Sequence, residues 1–179
     1  LSSVTGSILL AEGALYHKGS LVPIQLEATE AISYRLCGDS AVAGTVCSEV
    51  LRADTPYTAS PAPISLADGN QMVYVQFIDI YGKDSATSSD SIIVDSTLPL
   101  APTIADHPSA YHNSSMIAVS FARGVEANPD KVLITMCTSD DCLTDCEPIQ
   151  EVSTSPANLG PVSDGTYYLC AQERDMVGQ

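Results

Sequence analysis

With 179 residues, 45% of them hydrophobic, the chain can bury apolar cores, which excludes a wholly disordered segment. Twenty-two acids against seven bases give a formal net charge of -15, which excludes nucleic acid and argues equally against an anionic membrane surface. No apolar run approaches the ~20 residues that cross a bilayer, so no membrane insertion is expected.

Taken from the N-terminus, no apolar stripe at i, i+3, i+4, i+7 persists beyond two turns, whereas period-two alternation is common. The chain therefore reads as all-β. In the first half, strands are expected at 7–10, 21–29, 31–37, 47–53, 62–66, 71–80 and 89–95. Seven short strands of this kind build a sandwich. Val73, Val75 and Phe77 form the inward face of the sixth strand, and Ile32, Tyr34 and Leu36 that of the third. Aromatics are few, with two Phe and no Trp, so burial rests on aliphatic residues and tyrosine.

The punctuation of the sixth strand then recurs about 96 residues later. Asp68-Gly69, a strand and Asp79-Ile80-Tyr81-Gly82 return as Asp164-Gly165, a strand and Asp175-Met176-Val177-Gly178. Tyr16-His17 returns as Tyr111-His112, Ser60-Pro61-Ala62 as Ser155-Pro156-Ala157, and Cys37 is matched to Cys137. Spacing is kept while side chains change, so a backbone course is what repeats. Pro99 and Pro102 cannot sit inside a sheet ladder, and the division falls beside them: domain 1 at 1–99, domain 2 at 100–179. The second copy stops at the turn after its sixth strand, with no counterpart of 89–95. The chain is expected to be a piece of a longer array, or to receive its last strand from another molecule.

The six cysteines fall as Cys37 and Cys47 in the first unit and Cys137, Cys142, Cys146 and Cys170 in the second. Even counts without C-x2-C pairs or nearby histidines read as disulfides rather than zinc, and place the chain outside the cell or in a periplasm. The repeat suggests Cys37 with Cys47, its equivalent Cys137 with Cys146, and an added Cys142 with Cys170. Cys137 with Cys170 is the competing pair. The tied loop carries Asp140, Asp141, Leu143 and Asp145, the residues expected to bind a partner if the loop does.

Asp164-Gly-Thr-Tyr-Tyr168-Leu-Cys170 resembles the immunoglobulin-fold signature in which Asp opens a turn and Tyr precedes Cys by two; on that resemblance Tyr168 is the tyrosine-corner residue. Asp95-Ser-Thr-Leu-Pro-Leu-Ala-Pro-Thr-Ile104 is similar to the linker between bacterial Ig-like repeats of large surface proteins and adhesins. The stretch from Asp68 to Gly82 is similar to their penultimate strand and turn. Met72 stands where the first unit's corner tyrosine should be, and neither unit has a cysteine on its second strand, so the antibody inter-sheet bridge is absent.

The resemblance implies two tandem Ig-like β-sandwich domains in a secreted bacterial surface protein or fibre. It also implies a non-catalytic spacer whose partners are further Ig-like repeats, in the same or a neighbouring chain, and a cell-surface glycan or protein. His17, His107 and His112 lie in no nucleophile motif. No cofactor is required. Calcium at the interdomain junction is the one ligand with a physical case, through Asp79, Asp84 and Asp95; the alternative is that Asp79 and Asp175 cap the turns they open.

Overall fold

A computed structural model describes residues 4–37, 54–106 and 114–178. The expected strand at 47–53, Cys47, the side chain of Cys37, His107 and His112 lie outside those residues. The fold is all-β, in several sheets consistent with a β-sandwich, and it divides into two compact units, Leu1–Ser96 and Thr97–Gln179.

The first unit contains β1 (Thr5–Leu10), β2 (Tyr16–Lys18), β3 (Leu21–Val22), β4 (Ile24–Thr29), β5 (Ala31–Cys37), β6 (Thr55–Pro56), β7 (Ile64–Ser65), β8 (Gly69–Asp79) and β9 (Ser88–Asp95). Its main sheet runs β2-β9-β8-β5-β6, with β1-β4 and β3-β7 as two-stranded ladders. The single strand expected at 21–29 is two, because Pro23 has no N–H for a ladder. The short strand β2 was missed in the sequence. It runs parallel to β9, pairing Tyr16 with Ile93, and three residues are too few for alternation to register.

Residues of both layers meet in one core: Leu10 of β1, Leu26 of β4, Val73, Val75 and Phe77 of β8, and Ile92 and Val94 of β9. The inward face expected for β8 is thus correct, since Val73, Val75 and Phe77 are fully buried. For β5 it is half wrong. Tyr34 is buried but Ile32 is 54% exposed, because a β-bulge between Ala31 and Ser33 puts one extra residue into β5 and turns Ile32 outward.

The second unit contains β10 (Thr103–Asp106), β11 (Ile117–Ala122), β12 (Pro129–Cys137), β13 (Gln150–Val152), β14 (Ala157–Leu159) and β15 (Tyr168–Asp175). One sheet runs β10-β11-β14 and the other β13-β12-β15. Val119 and Phe121 of β11, Val132, Ile134 and Met136 of β12, and Ala157 and Leu159 of β14 form its core. Among the described residues β15 has β12 on one side and no strand on the other, whereas β8 is flanked by β5 and β9.

The two units share a substructure down to its irregularities. β5 pairs with β8, and β12 with β15, antiparallel; Ala31 faces Asp79 and Pro129 faces Asp175, each next to the same bulge. Each Asp then opens the same turn. Asp79 Oδ1 accepts from Tyr81 N at 2.8 Å and Asp175 Oδ1 from Val177 N at 3.0 Å. Gly82 and Gly178 follow at φ 76 and φ 78, a conformation that other residues adopt only with strain.

This common register corrects one step of the sequence alignment. Cys37 lies opposite Tyr74, while Cys170, at the position of Tyr74, lies opposite Thr135. On the backbone, Cys37 therefore corresponds to Thr135 and not to Cys137, two residues further on.

Candidate functional site

The site is the connection between β12 and β13, where three of the second unit's four cysteines and a cluster of its exposed acids are gathered. Antiparallel geometry carries on past the end of β12. Cys137 and Cys146 are bridge partners, Thr138 N donates to Asp145 O at 3.1 Å, and Glu147 N to Met136 O at 2.8 Å. The intervening residues form a loop closed at its neck by the Cys137–Cys146 disulfide. A second disulfide, Cys142–Cys170, ties the loop tip to β15.

Side-chain parity explains where those bonds lie. Val132, Ile134 and Met136 of β12 enter the core, so Thr135 and Cys137 stand on the outer face of the sheet. Cys170 is paired opposite Thr135 and shares that face. Tyr168, two residues before Cys170, must then also point outward, and it is 46% exposed. The corner interaction expected of Tyr168 is made by its neighbour instead: Tyr167, packed against the core, donates its hydroxyl to Ser163 O at 3.3 Å.

Within the loop, the four residues expected to bind a partner divide into one that organises and three that are displayed. Asp141 Oδ1 accepts from Leu143 N at 2.8 Å and Thr144 N at 3.1 Å, and its carboxylate also takes the Thr144 hydroxyl. The backbone donors at Leu143 and Thr144 hold the Asp141 carboxyl below its ordinary range. Asp140, Leu143 and Asp145 are exposed, Leu143 by 84%. Cys142 and Asp145 adopt positive φ of 58 and 49. Such conformations cost of order 1–3 kcal/mol each and persist where the surroundings enforce them, as two disulfides and an Asp cap do here.

The three aspartates considered for calcium have separate engagements. Asp79 caps its turn, accepting also from Lys83 N at 2.9 Å. Asp84 binds Arg35 through both oxygens at 3.2 Å. Asp95 is buried at the end of β9, level with Lys18 of β2. Among the described residues no three His, Cys, Asp or Glu side chains gather into a set that could hold a metal ion. His17 makes a 3.0 Å contact from Nδ1 to Gly19 O.

Two features escaped the sequence reading. A cleft of about 240 Å³ lies beside the loop neck, lined by residues including Ile134, Met136, Glu147 and Leu159, a volume below that of common small-molecule sites. Glu173 is buried on the core face of β15, where the first unit has Phe77, and Arg123 binds its Oε1, with Nε at 2.7 Å. Its signal was available in the parity of β15: Leu169, Ala171, Glu173 and Asp175 alternate with Cys170, Gln172 and Arg174, so an acid had to share the apolar face.

The disulfides belong to an oxidising, extracellular-type environment, in which such bonds form and are not lost to net reduction. No helix among the described residues is long and apolar enough to cross a membrane. No family model and no curated protein matches the chain.

Proposed function

We propose that this chain is a non-catalytic structural segment, two Ig-like modules in tandem, acting as a spacer in a secreted bacterial surface protein. The observation that supports this reading is the repeated strand, bulge and capped turn, built once on each of two separate cores while the side chains between the landmarks diverge. Duplication of a scaffold without duplication of a reactive group is what a load-carrying array requires. The test is to stretch the chain between two tethered reference domains. Two discrete unfolding events at appreciable force are expected; extension at negligible force would end the spacer reading.

A second reading is favoured by the loop. Leu143 stands exposed among Asp140, Asp141 and Asp145 on a doubly tied scaffold, an arrangement suited to a partner with a basic rim and an apolar pocket. Glycan and cell-binding arrays would be compared for the native chain and for a variant with those four residues changed to Ala or Ser. Binding lost in the variant makes the loop a recognition element; binding retained makes it a stapled connection.

A further inference from the structure

We propose that the four half-cystines of the second unit form a thiol–disulfide exchange site, in which a small thiol moves the loop from a pairing tied to β15 to a pairing closed on itself. The geometry rests on one contact. Although Cys170 is bonded to Cys142 and Cys137 to Cys146, the Sγ atoms of Cys170 and Cys137 are only 3.8 Å apart, about the contact distance of two sulfurs. They stand on the same outer face of β12 and β15, Cys137 opposite Tyr168 and Cys170 opposite Thr135, so they are diagonal neighbours within a single ladder. Their present partners are exposed. Cys142 sits at the loop tip and Cys146 at its neck, while Cys137 is fully buried and Cys170 half-buried.

Accessibility sets the order of events, since exchange requires a thiolate to reach a disulfide sulfur. An incoming thiolate attacks Cys142 Sγ; the Cys142–Cys170 bond breaks, a mixed disulfide forms on Cys142, and Cys170 leaves as a thiolate. That thiolate already touches Cys137 Sγ and attacks it. The Cys137–Cys170 bond forms, the Cys137–Cys146 bond breaks, and Cys146 leaves as a thiolate. Cys146 is four residues from Cys142 in the same loop, attacks its sulfur, and expels the small thiol unchanged. Two disulfides enter and two leave, so nothing is oxidised or reduced overall and the thiol is a catalyst.

The two pairings have different consequences for the loop. In the first, residues 137–146 are closed at the neck and anchored to β15 through Cys142. In the second, β12 and β15 are joined directly and only 142–146 remain as a small ring, free of the sheet. Because Asp140, Asp141 and Asp145 are exposed within three residues of Cys142, a cationic thiol is favoured over an anionic one.

The native chain would be held with substoichiometric cysteamine at mildly alkaline pH, acid-quenched and cleaved before aspartate, which separates Cys137, Cys142 and Cys146. Cross-linked peptides Cys137–Cys170 and Cys142–Cys146 are expected to appear without any gain in protein thiols. Cysteamine should act several-fold faster than glutathione at low ionic strength, with the difference shrinking in salt. Appearance of free thiols without the Cys137–Cys170 peptide overturns the proposal. A Cys142→Ser variant gives an independent reading, because it leaves the Cys170 thiol against the remaining disulfide. Alkylation should then label Cys146 as well as Cys170 with no thiol added; label confined to Cys170 overturns the proposal equally.

Discussion

At position 173 a carboxylate occupies the place that the first unit gives to Phe77, its largest fully buried side chain among the described residues. The exchange trades area burial for an ion pair: Glu173 is fully enclosed, Arg123 reaches its Oε1, and among the described residues the buried Oε2 has no hydrogen-bond partner. Desolvating such a pair costs about as much as its attraction returns, but removing one member leaves a buried charge alone. Arg123→Ala should therefore destabilise the second unit by about 3 kcal/mol, the low end of the range for buried pairs because the Arg123 side chain is 29% exposed. Changing both residues, Arg123→Met with Glu173→Leu, should recover most or all of that loss. Urea unfolding of the two variants checks this, and equal destabilisation by both would contradict it. The acid was hidden in the sequence because Gln-Glu-Arg-Asp reads as a surface stretch until the strand's parity is fixed by Cys170. Asp79 and Asp175 were legible for the opposite reason: an Asp three residues before a Gly states its own turn.

Strands were readable where alternation ran long enough to be counted, as in β8, and failed where a small offset changes the count. The bulge at Ile32 is such a case, and so is the two-residue offset that matched Cys37 to Cys137 on cysteine identity when the ladders match it to Thr135. Pairing between layers leaves a trace of another kind, in glycine. Gly6 of β1 lies so close to the Phe77 ring of β8 that a Cβ built on it would meet Phe77 Cε2, with Cδ2 at 2.7 Å and Glu27 O of the paired β4 at 2.5 Å. The ring is fully buried and the carbonyl belongs to the ladder, so neither can retreat cheaply. Gly6→Ala is accordingly expected to destabilise by about 1–3 kcal/mol, as overpacking does in closed cores. Gly6→Ala combined with Phe77→Leu should show a smaller combined loss than the sum of the two single changes, which a double-mutant cycle in denaturant measures.

At the scale of the molecule, the described residues form one hydrophobic cluster within residues 4–94 and another within 119–159. What stabilises them also differs. Among the described residues the first core is the larger and includes β9, whose Ile92 and Val94 are fully buried, while the second has fewer buried apolar residues and is tied by two disulfides. Loop-closure entropy assigns about 3.5 kcal/mol to the Cys142–Cys170 bond, whose separation is 28 residues, and about 2.6 kcal/mol to Cys137–Cys146, with a separation of 9. Together, at about 6 kcal/mol, they are comparable to the whole stability of a small domain. Two selective perturbations follow. Phe77→Ala removes the fully buried ring and should cost the first unit about 3–5 kcal/mol, leaving the second unchanged. Replacing Cys142 and Cys170 together by Ala should lower only the second, by about 3–4 kcal/mol, or roughly 4–8 °C of melting temperature for each kcal/mol in a domain of this size. Scanning calorimetry of the intact chain should resolve two transitions, one moved by each variant. If both variants moved a single common transition, the cores would be melting as one body, and the separation of hydrophobic clusters would carry no energetic meaning.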